Sequence, residues 1–382
     1  MKRLLLNNKV LIYQLFLALI VFLISKIVLF FVLLKIDLIY VHLDCWIRGD
    51  SAHYLNIASK GYEFFPCAGH FGYPLDAEQF CGNTGWFPGY PMFIRFVTSL
   101  TNRELLSAVS IANAFHYLTL FFILKITSKS SFSINTIAYL CLGAFFFGFI
   151  YYHAVFPISM VVFFSLISIY YFSRGNIMLS AIGCMIVSFT YPSGFLLPVS
   201  LAIAQLFDIK SNVKTALLKS LLILTVGVGG TLFCFLLFQL EFNDWQAFIK
   251  VQAKYNHELQ NPIGNMYNFL KGFDTTIITM KNVIITQSLF VIIGYIGLTV
   301  LFLSKNMYKN RMYLAVFICT TTFFIFPWLV GGELSTYRSE ALLLPAIILI
   351  KDIKTDYITS VLSLLLFIGI PMSIFFFKNG LV

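Results

Sequence analysis

Arg48, Asp50 and His53 fall close together in the stretch Asp44-Cys45-Trp46-Ile47-Arg48-Gly49-Asp50-Ser51-Ala52-His53-Tyr54. Carboxylates and imidazoles move protons, and a guanidinium meets anions. Each residue also has a plain structural reading. Asp50 suits a helix cap, His53 a solvated interfacial side chain, and Arg48 a surface ion pair with Asp50 that contributes little. Asp44 and Asp50 are a second possible pair, one that would share a divalent cation, although no Cys or His spacing in the chain resembles a zinc site.

A short helix must position these groups. Asp50 or Ser51 can cap its start, and Gly61 can sit just past its end. Tyr54, Ile57 and Ala58 then share one face at three- and four-residue spacing. This predicts an interfacial helix over Asp50–Gly61, anchored by aromatic residues. A second element follows in Trp86-Phe87-Pro88-Gly89-Tyr90-Pro91. Its two prolines and glycine fix a rigid backbone path directly before an apolar stretch that carries Arg95.

The scaffold around these elements is read from composition. Of 382 residues, 59% are apolar and 11% charged, with 43 Phe and 20 Tyr. A soluble domain carries about a quarter charged residues. The expected fold is an all-α polytopic membrane protein. Apolar stretches recur at Val10–Leu34, Leu105–Thr127, Phe132–Tyr152, Ser159–Phe172, Met178–Tyr191, Phe195–Phe207, Ala216–Gln239, Val283–Leu303, Met312–Val330, Ala341–Ile350 and Tyr357–Phe377. They predict about eleven transmembrane helices, several of them short. The first, preceded by Lys2, Arg3 and Lys9, reads as a retained signal-anchor helix.

With eleven spans, the cations that follow the second, fourth, sixth, eighth and tenth stretches all fall on the side of the N-terminus. That side is therefore predicted to be cytoplasmic. The net charge of +10 is explained by this arrangement, and nucleic acid is not an expected partner. The opposite face receives external loops at about 35–104, 240–282 and 331–340, and residues 1–382 form one domain. The second loop carries Asp244, Trp245, Lys250, Lys254, Tyr255 and His257. Tyr191-Pro192-Ser193-Gly194 implies a tight turn between short spans or a broken helix. Cys45, Cys67 and Cys81 share the first loop, where one disulfide is possible. Cys67–Cys81 is the closest pair, although sequence does not fix the connectivity.

Asp-Ser-Ala-His-Tyr-Leu-Asn-Ile-Ala-Ser-Lys-Gly-Tyr from Asp50, paired with Trp-Phe-Pro-Gly-Tyr-Pro-Met-Phe-Ile-Arg from Trp86, resembles the PIG-V-type mannosyltransferases. These perform the second mannose addition in glycosylphosphatidylinositol anchor synthesis, have prokaryotic relatives, and belong to the GT-C class of multi-span glycosyltransferases. The Tyr337-Arg338-Ser339-Glu340-Ala341-Leu342-Leu343-Leu344-Pro345-Ala346 segment is similar to the family's Arg-Tyr-Leu-Leu-Pro-Ala. Two positions depart from the pattern. Gly49 stands where Trp is common before the Asp, and Ser339-Glu340 stand where Tyr-Leu is common.

The resemblance implies a membrane glycosyltransferase that moves a sugar, mannose by default, from a polyprenyl-phosphate carrier to a glycolipid, glycan or protein. Transfer would occur on the non-cytoplasmic face and invert the anomeric centre, with no required metal or other cofactor. Asp50 is then the candidate base. Arg338 is the first choice for the leaving phosphate, ahead of Arg48 and His53, with Lys250 and Lys254 behind them. Tyr54, Tyr62, Phe87 and Tyr90 are expected to line the substrate. The membrane is the plasma membrane in a prokaryote or the endoplasmic reticulum in a eukaryote. A transporter or flippase of lipid-linked envelope precursors is the alternative, for which Lys26, His116, Lys125 and Glu241 are the hints. A non-catalytic assembly subunit is a third reading.

Overall fold

The computed structural model describes all residues except 1, 40–41, 69–78, 130–132, 208–211, 256–258, 274–278, 332–334 and 380–382, and only the backbone of 2–8. His257 lies outside the described residues. The first part of the chain holds α1 (Lys2–Lys35), α2 (Ser51–Ser59), α3 (Gly89–Thr101), α4 (Glu104–Thr127) and α5 (Ile134–Ala144). The middle holds α6 (Ile158–Ser173), α7 (Ile177–Thr190), α8 (Leu196–Leu206), α9 (Val213–Phe242), α10 (Ala247–Ala253) and α11 (Pro262–Lys271). The last part holds α12 (Met280–Ser304), α13 (Arg311–Leu329), α14 (Thr336–Ser339) and α15 (Thr355–Phe377).

Six of the described helices are long and apolar enough to cross a membrane: α1, α4, α9, α12, α13 and α15. Helices α5 to α8 are apolar but only 11 to 16 residues long. At 1.5 Å per residue they fall short of a hydrocarbon core of about 30 Å. The tenth apolar stretch is not an α-helix. Glu340–Ile350 is a 3-10 helix containing Pro345, whose ring nitrogen has no proton to donate. A 3-10 helix rises about 2.0 Å per residue, so this segment reaches further than an α-helix of the same length.

The helices run between two ends. At one end Gln14 Nε2 donates to the carbonyls of Leu124 (3.3 Å) and Lys129 (3.0 Å). Lys125 and Arg174 both lie over the Tyr170 ring, at 5.8 and 5.3 Å, and Arg311 lies 4.3 Å from the Phe172 ring centroid. Lys351 sits 5.9 Å over Tyr313. The cations that follow successive apolar stretches are thus gathered together. At the other end Arg48 Nη2 donates to the Phe377 carbonyl at 3.0 Å, tying the first loop to the end of α15. The Tyr191–Gly194 break is a tight turn: α7 ends there and α8 starts back toward the cationic end, where Phe207 and Arg174 line one cavity.

The all-α expectation needs one amendment. Phe64–Pro66 and Phe80–Gly82 form an antiparallel pair with Phe65 opposite Cys81. The Cys67–Cys81 disulfide closes this hairpin, while Cys45 is free and buried.

Candidate active site

The backbone at Gly49 takes φ +50°, in the left-handed region that favours glycine, and this turn brings Asp50 to the head of α2. Ser51 Oγ accepts the Arg48 backbone N–H at 3.2 Å, and the Asp50 carbonyl accepts from His53 N at 3.0 Å. The Asp50 carboxylate makes no cap hydrogen bond to the helix. It accepts from Nη1 of Arg338 instead, 288 residues later on α14. The two residues that sequence singled out separately are therefore in direct contact.

The pair is partly open, with the side chains 25% exposed for Asp50 and 14% for Arg338. The Arg338 guanidinium lies 5.8 Å from the ring centroids of Phe156 and Tyr337, and its Nε is buried without a hydrogen-bond partner. Burial opposes the positive charge. The Asp50 carboxylate, helped by Tyr337, Tyr191 and Tyr151, outweighs burial and raises the Arg338 pKa above its ordinary value. Tyr54 is also within electrostatic reach of both members. Sequence did not single out Tyr151, Tyr191 or Tyr337 as site residues. For Tyr191 the signal was the Pro-Ser-Gly break that follows it.

The other expected residues are placed differently. His53 stacks on Trp86 with centroids 3.6 Å apart and planes 14° apart. Burial pushes its pKa below the ordinary value, against the pull of Asp50, so near pH 7 the ring offers no cation to a phosphate. Arg48 closes backbone, donating to the carbonyls of Asp44 (2.9 Å), Ile47 (2.7 Å) and Phe377 (3.0 Å). Lys250 pairs with Asp244 at 2.5 Å, and Lys254 lies 5.0 Å over Tyr255. Tyr54, Phe87 and Tyr90 are buried core residues, and the Tyr90 hydroxyl donates to the Ala108 carbonyl at 3.0 Å. Tyr62 donates to the Trp86 carbonyl at 2.9 Å. These four rings pack the site's frame. Among the described residues, no three His, Cys, Asp or Glu side chains gather to hold a metal.

The frame is built from both loops. Helix α2 buries Tyr54, Ile57 and Ala58, as its spacing predicts, and Gly61 takes φ +95° just past its end. Arg95 on α3 satisfies the last carbonyls of α2, with Nε donating to Ala58 at 2.7 Å and Nη2 to Ile57 at 2.8 Å. Gly89 lets α3 start hard against α7, because a Cβ there would lie 2.5 Å from Thr190 Oγ1 and 2.8 Å from its Cα. From the second loop, Gln252 Nε2 reaches the Gly85 carbonyl (3.2 Å), and Thr84 Oγ1 reaches Ala247 (3.1 Å). Arg95→Ala removes the charged donor from two carbonyls of α2, of which Ile57 keeps the Gly61 backbone N–H at 3.1 Å. We expect a loss of about 1.5–3 kcal/mol, read as a lower unfolding midpoint in detergent. An unchanged midpoint would remove Arg95 from this role.

Arg338 is pinned from behind. Gln287 Nε2 on α12 donates to Glu340 Oε2 (2.7 Å) and to the Tyr337 carbonyl (3.2 Å), holding α14 on both sides of Arg338. Gln287 Oε1 is buried without a hydrogen-bond donor, and Ser288 and Gln287 both bear on the Glu340 carboxyl. Glu340 stands just outside the apolar run 341–350, and burial pushes its carboxyl from 4.5 up to about 7. A raised carboxyl pKa contributes stability that is complete below the ordinary value and is lost as pH rises through the folded value. Wild-type stability should therefore fall between about pH 4.5 and 7, relative to Glu340→Gln, by up to roughly 3 kcal/mol. Parallel stability curves for the two chains would show that this carboxyl does not titrate in that window.

The arrangement holds a carboxylate and a guanidinium side by side at the mouth of an aromatic frame. The carboxylate can accept a proton, and the guanidinium has a donor to spare for an anionic oxygen. No protein-family model matches the chain, and no curated protein is significantly similar to it.

Proposed function

We propose that the protein is a membrane glycosyltransferase that moves a sugar from a polyprenyl-phosphate carrier to a glycolipid, glycan or protein acceptor. The observation that carries this reading is the contact between Asp50 and Arg338 at one end of an apolar helical bundle. A lipid-linked donor has its tail among acyl chains, its phosphate at the interface and its sugar above. A proton acceptor and a phosphate-seeking cation are needed together at that height.

In the reaction, Asp50 takes the proton of the acceptor hydroxyl. The acceptor oxygen bonds to the anomeric carbon as the bond from that carbon to the phosphate oxygen breaks. Polyprenyl phosphate leaves with the electron pair. Negative charge grows on the departing phosphate, and Arg338 meets it with the exposed part of its fork. One displacement with one base inverts the anomeric centre. No metal is required in this scheme, since the guanidinium meets the charge.

Two observations support an extracytoplasmic site. The Cys67–Cys81 disulfide is in the loop layer around Asp50, and disulfides persist in oxidising compartments. The cationic turns gather at the opposite end, which fits a cytoplasmic face there. In this proposal all eleven apolar stretches cross, the short ones shielded by longer neighbours, and the architecture is GT-C-like. Mannose is the default sugar by resemblance.

A second reading has its own observation. Lys26 of α1 lies near His116 and His153 inside the bundle. His153 Nδ1 meets Asn113 Oδ1 at 2.9 Å, and both ring nitrogens of His116 are buried without a partner. Polar groups at membrane depth are found in transporters. Purified protein in vesicles, given a polyprenyl-phosphate mannose donor labelled in the sugar, separates the two. A transferase releases polyprenyl phosphate and labels an acceptor. A flippase moves the donor across intact, and that result would overturn the transferase reading.

A further inference from the structure

A cavity of about 1350 Å³ opens at the cationic end of the bundle, away from Asp50 and Arg338. Its lining combines cations and apolar side chains. The mouth carries Arg174, Lys305, Lys309 and Arg311, and the one carboxylate among the described lining residues is Asp352. Ile126, Leu301, Leu314 and Leu349 are among its apolar lining.

The cations are not equally loose. Arg311 is held by the side-chain oxygen of Gln205, which is fully buried, and its guanidinium lies 4.3 Å over Phe172. Arg174 lies 5.3 Å over Tyr170. Lys305, Lys309 and Arg174 make no ion pair with a described carboxylate. A concave site with several cations beside an apolar wall has a chemical complement, namely a phosphate attached to a hydrocarbon chain. A free phosphate would satisfy the cations and leave the apolar wall wet.

We propose that this cavity binds the phosphodiester head group of an anionic membrane lipid, with the first part of its acyl chains against the apolar wall. Clustered Lys and Arg at a membrane face attract such head groups, each contributing a small increment. The Arg311 guanidinium, already oriented by Gln205 and Phe172, gives the site a fixed point that a diffuse cationic surface lacks. The site is independent of the chemistry at Asp50.

The test uses the purified full chain in neutral detergent with fluorescent phosphatidylglycerol as probe. Unlabelled phosphatidylglycerol should displace it at least tenfold better than phosphatidylcholine or inorganic phosphate. The double variant Arg174→Gln/Lys309→Gln should bind about tenfold more weakly. Lys214→Gln/Lys219→Gln removes the same charge from α9, outside the cavity lining, and should leave binding unchanged. Equal losses in the two double variants would mean attraction to the whole face and overturn the site. Equal displacement by inorganic phosphate would mean a soluble ligand and overturn the lipid assignment. Equal displacement by phosphatidylcholine would mean apolar binding alone and would overturn the role given to the cations. A photoreactive phosphatidylglycerol provides a readout in the unmutated chain. Crosslinks to the cavity lining, at residues 170–175, 305–314 or 349–353, support the proposal, and crosslinks confined outside the lining contradict it.

Discussion

Asp50→Asn in otherwise intact chain should transfer sugar from a polyprenyl-phosphate donor about 10²–10⁴-fold more slowly than wild type. The amide keeps the volume and an oxygen for Arg338 to donate to, but it cannot take the acceptor's proton. Because the ion pair is a quarter exposed on the Asp50 side, its loss is damped by solvent. Unfolding in detergent should shift by only a few degrees, corresponding to roughly 1 kcal/mol. A large loss of transfer with a small loss of stability separates a base from a strut. A helix cap would give the reverse pattern, and the structure assigns Asp50 no capping bond. Full activity in the Asn variant would remove Asp50 from the chemistry.

The second large effect concerns Arg338. On the proposed reading, Arg338→Gln removes the cation that would meet the departing phosphate, and donor turnover should fall about 10²–10³-fold, the cost of one lost charge-stabilising donor. Arg338→Lys keeps the charge but not the planar fork. Its turnover should lie between those of Gln and wild type, with the larger change in the donor's KM. If Lys performs as well as Arg, the fork is not used. The substitutions also leave Asp50 without its counter-ion, so stability must be measured alongside rate.

The local parts of the site were legible in the sequence. The α2 helix follows from the Tyr54, Ile57, Ala58 spacing and from Gly61 just past its end, while the side-chain cap expected of Asp50 or Ser51 does not form. The apolar stretches hold helical segments because hydropathy is itself local, although the third divides into α5 and a 3-10 helix at Phe149–Tyr152. The 3-10 form of Glu340–Ile350 was not legible, since an apolar run with one proline reads the same in either helix. The Asp50–Arg338 contact is the closure of a whole bundle, and no spacing along 288 residues encodes it.

The aromatic residues were harder to assign. Phe87, Tyr90 and Tyr54 stand in a motif that reads as a substrate surface, yet their rings are buried, and a core aromatic and a binding aromatic look alike in sequence. Tyr151 comes near Arg338 from a distant segment with no local mark, whereas Tyr337 is its neighbour in the chain. Arg48 and His53 were read as cations for phosphate. One is bound to three carbonyls and the other is uncharged through burial, both consequences of folding.

Whether Asp50 and Arg338 serve one reaction is decided by a double-mutant cycle on donor turnover. Release of polyprenyl phosphate from a radiolabelled donor is measured for wild type, Asp50→Asn, Arg338→Gln and the double variant. Side chains that serve one transition state in contact are strongly non-additive. The double variant should be no slower than about tenfold below the worse single one. Losses that multiply in full would mean that the two residues act in separate places, and turnover unaffected by either would mean that this carboxylate and guanidinium are not where the sugar is transferred.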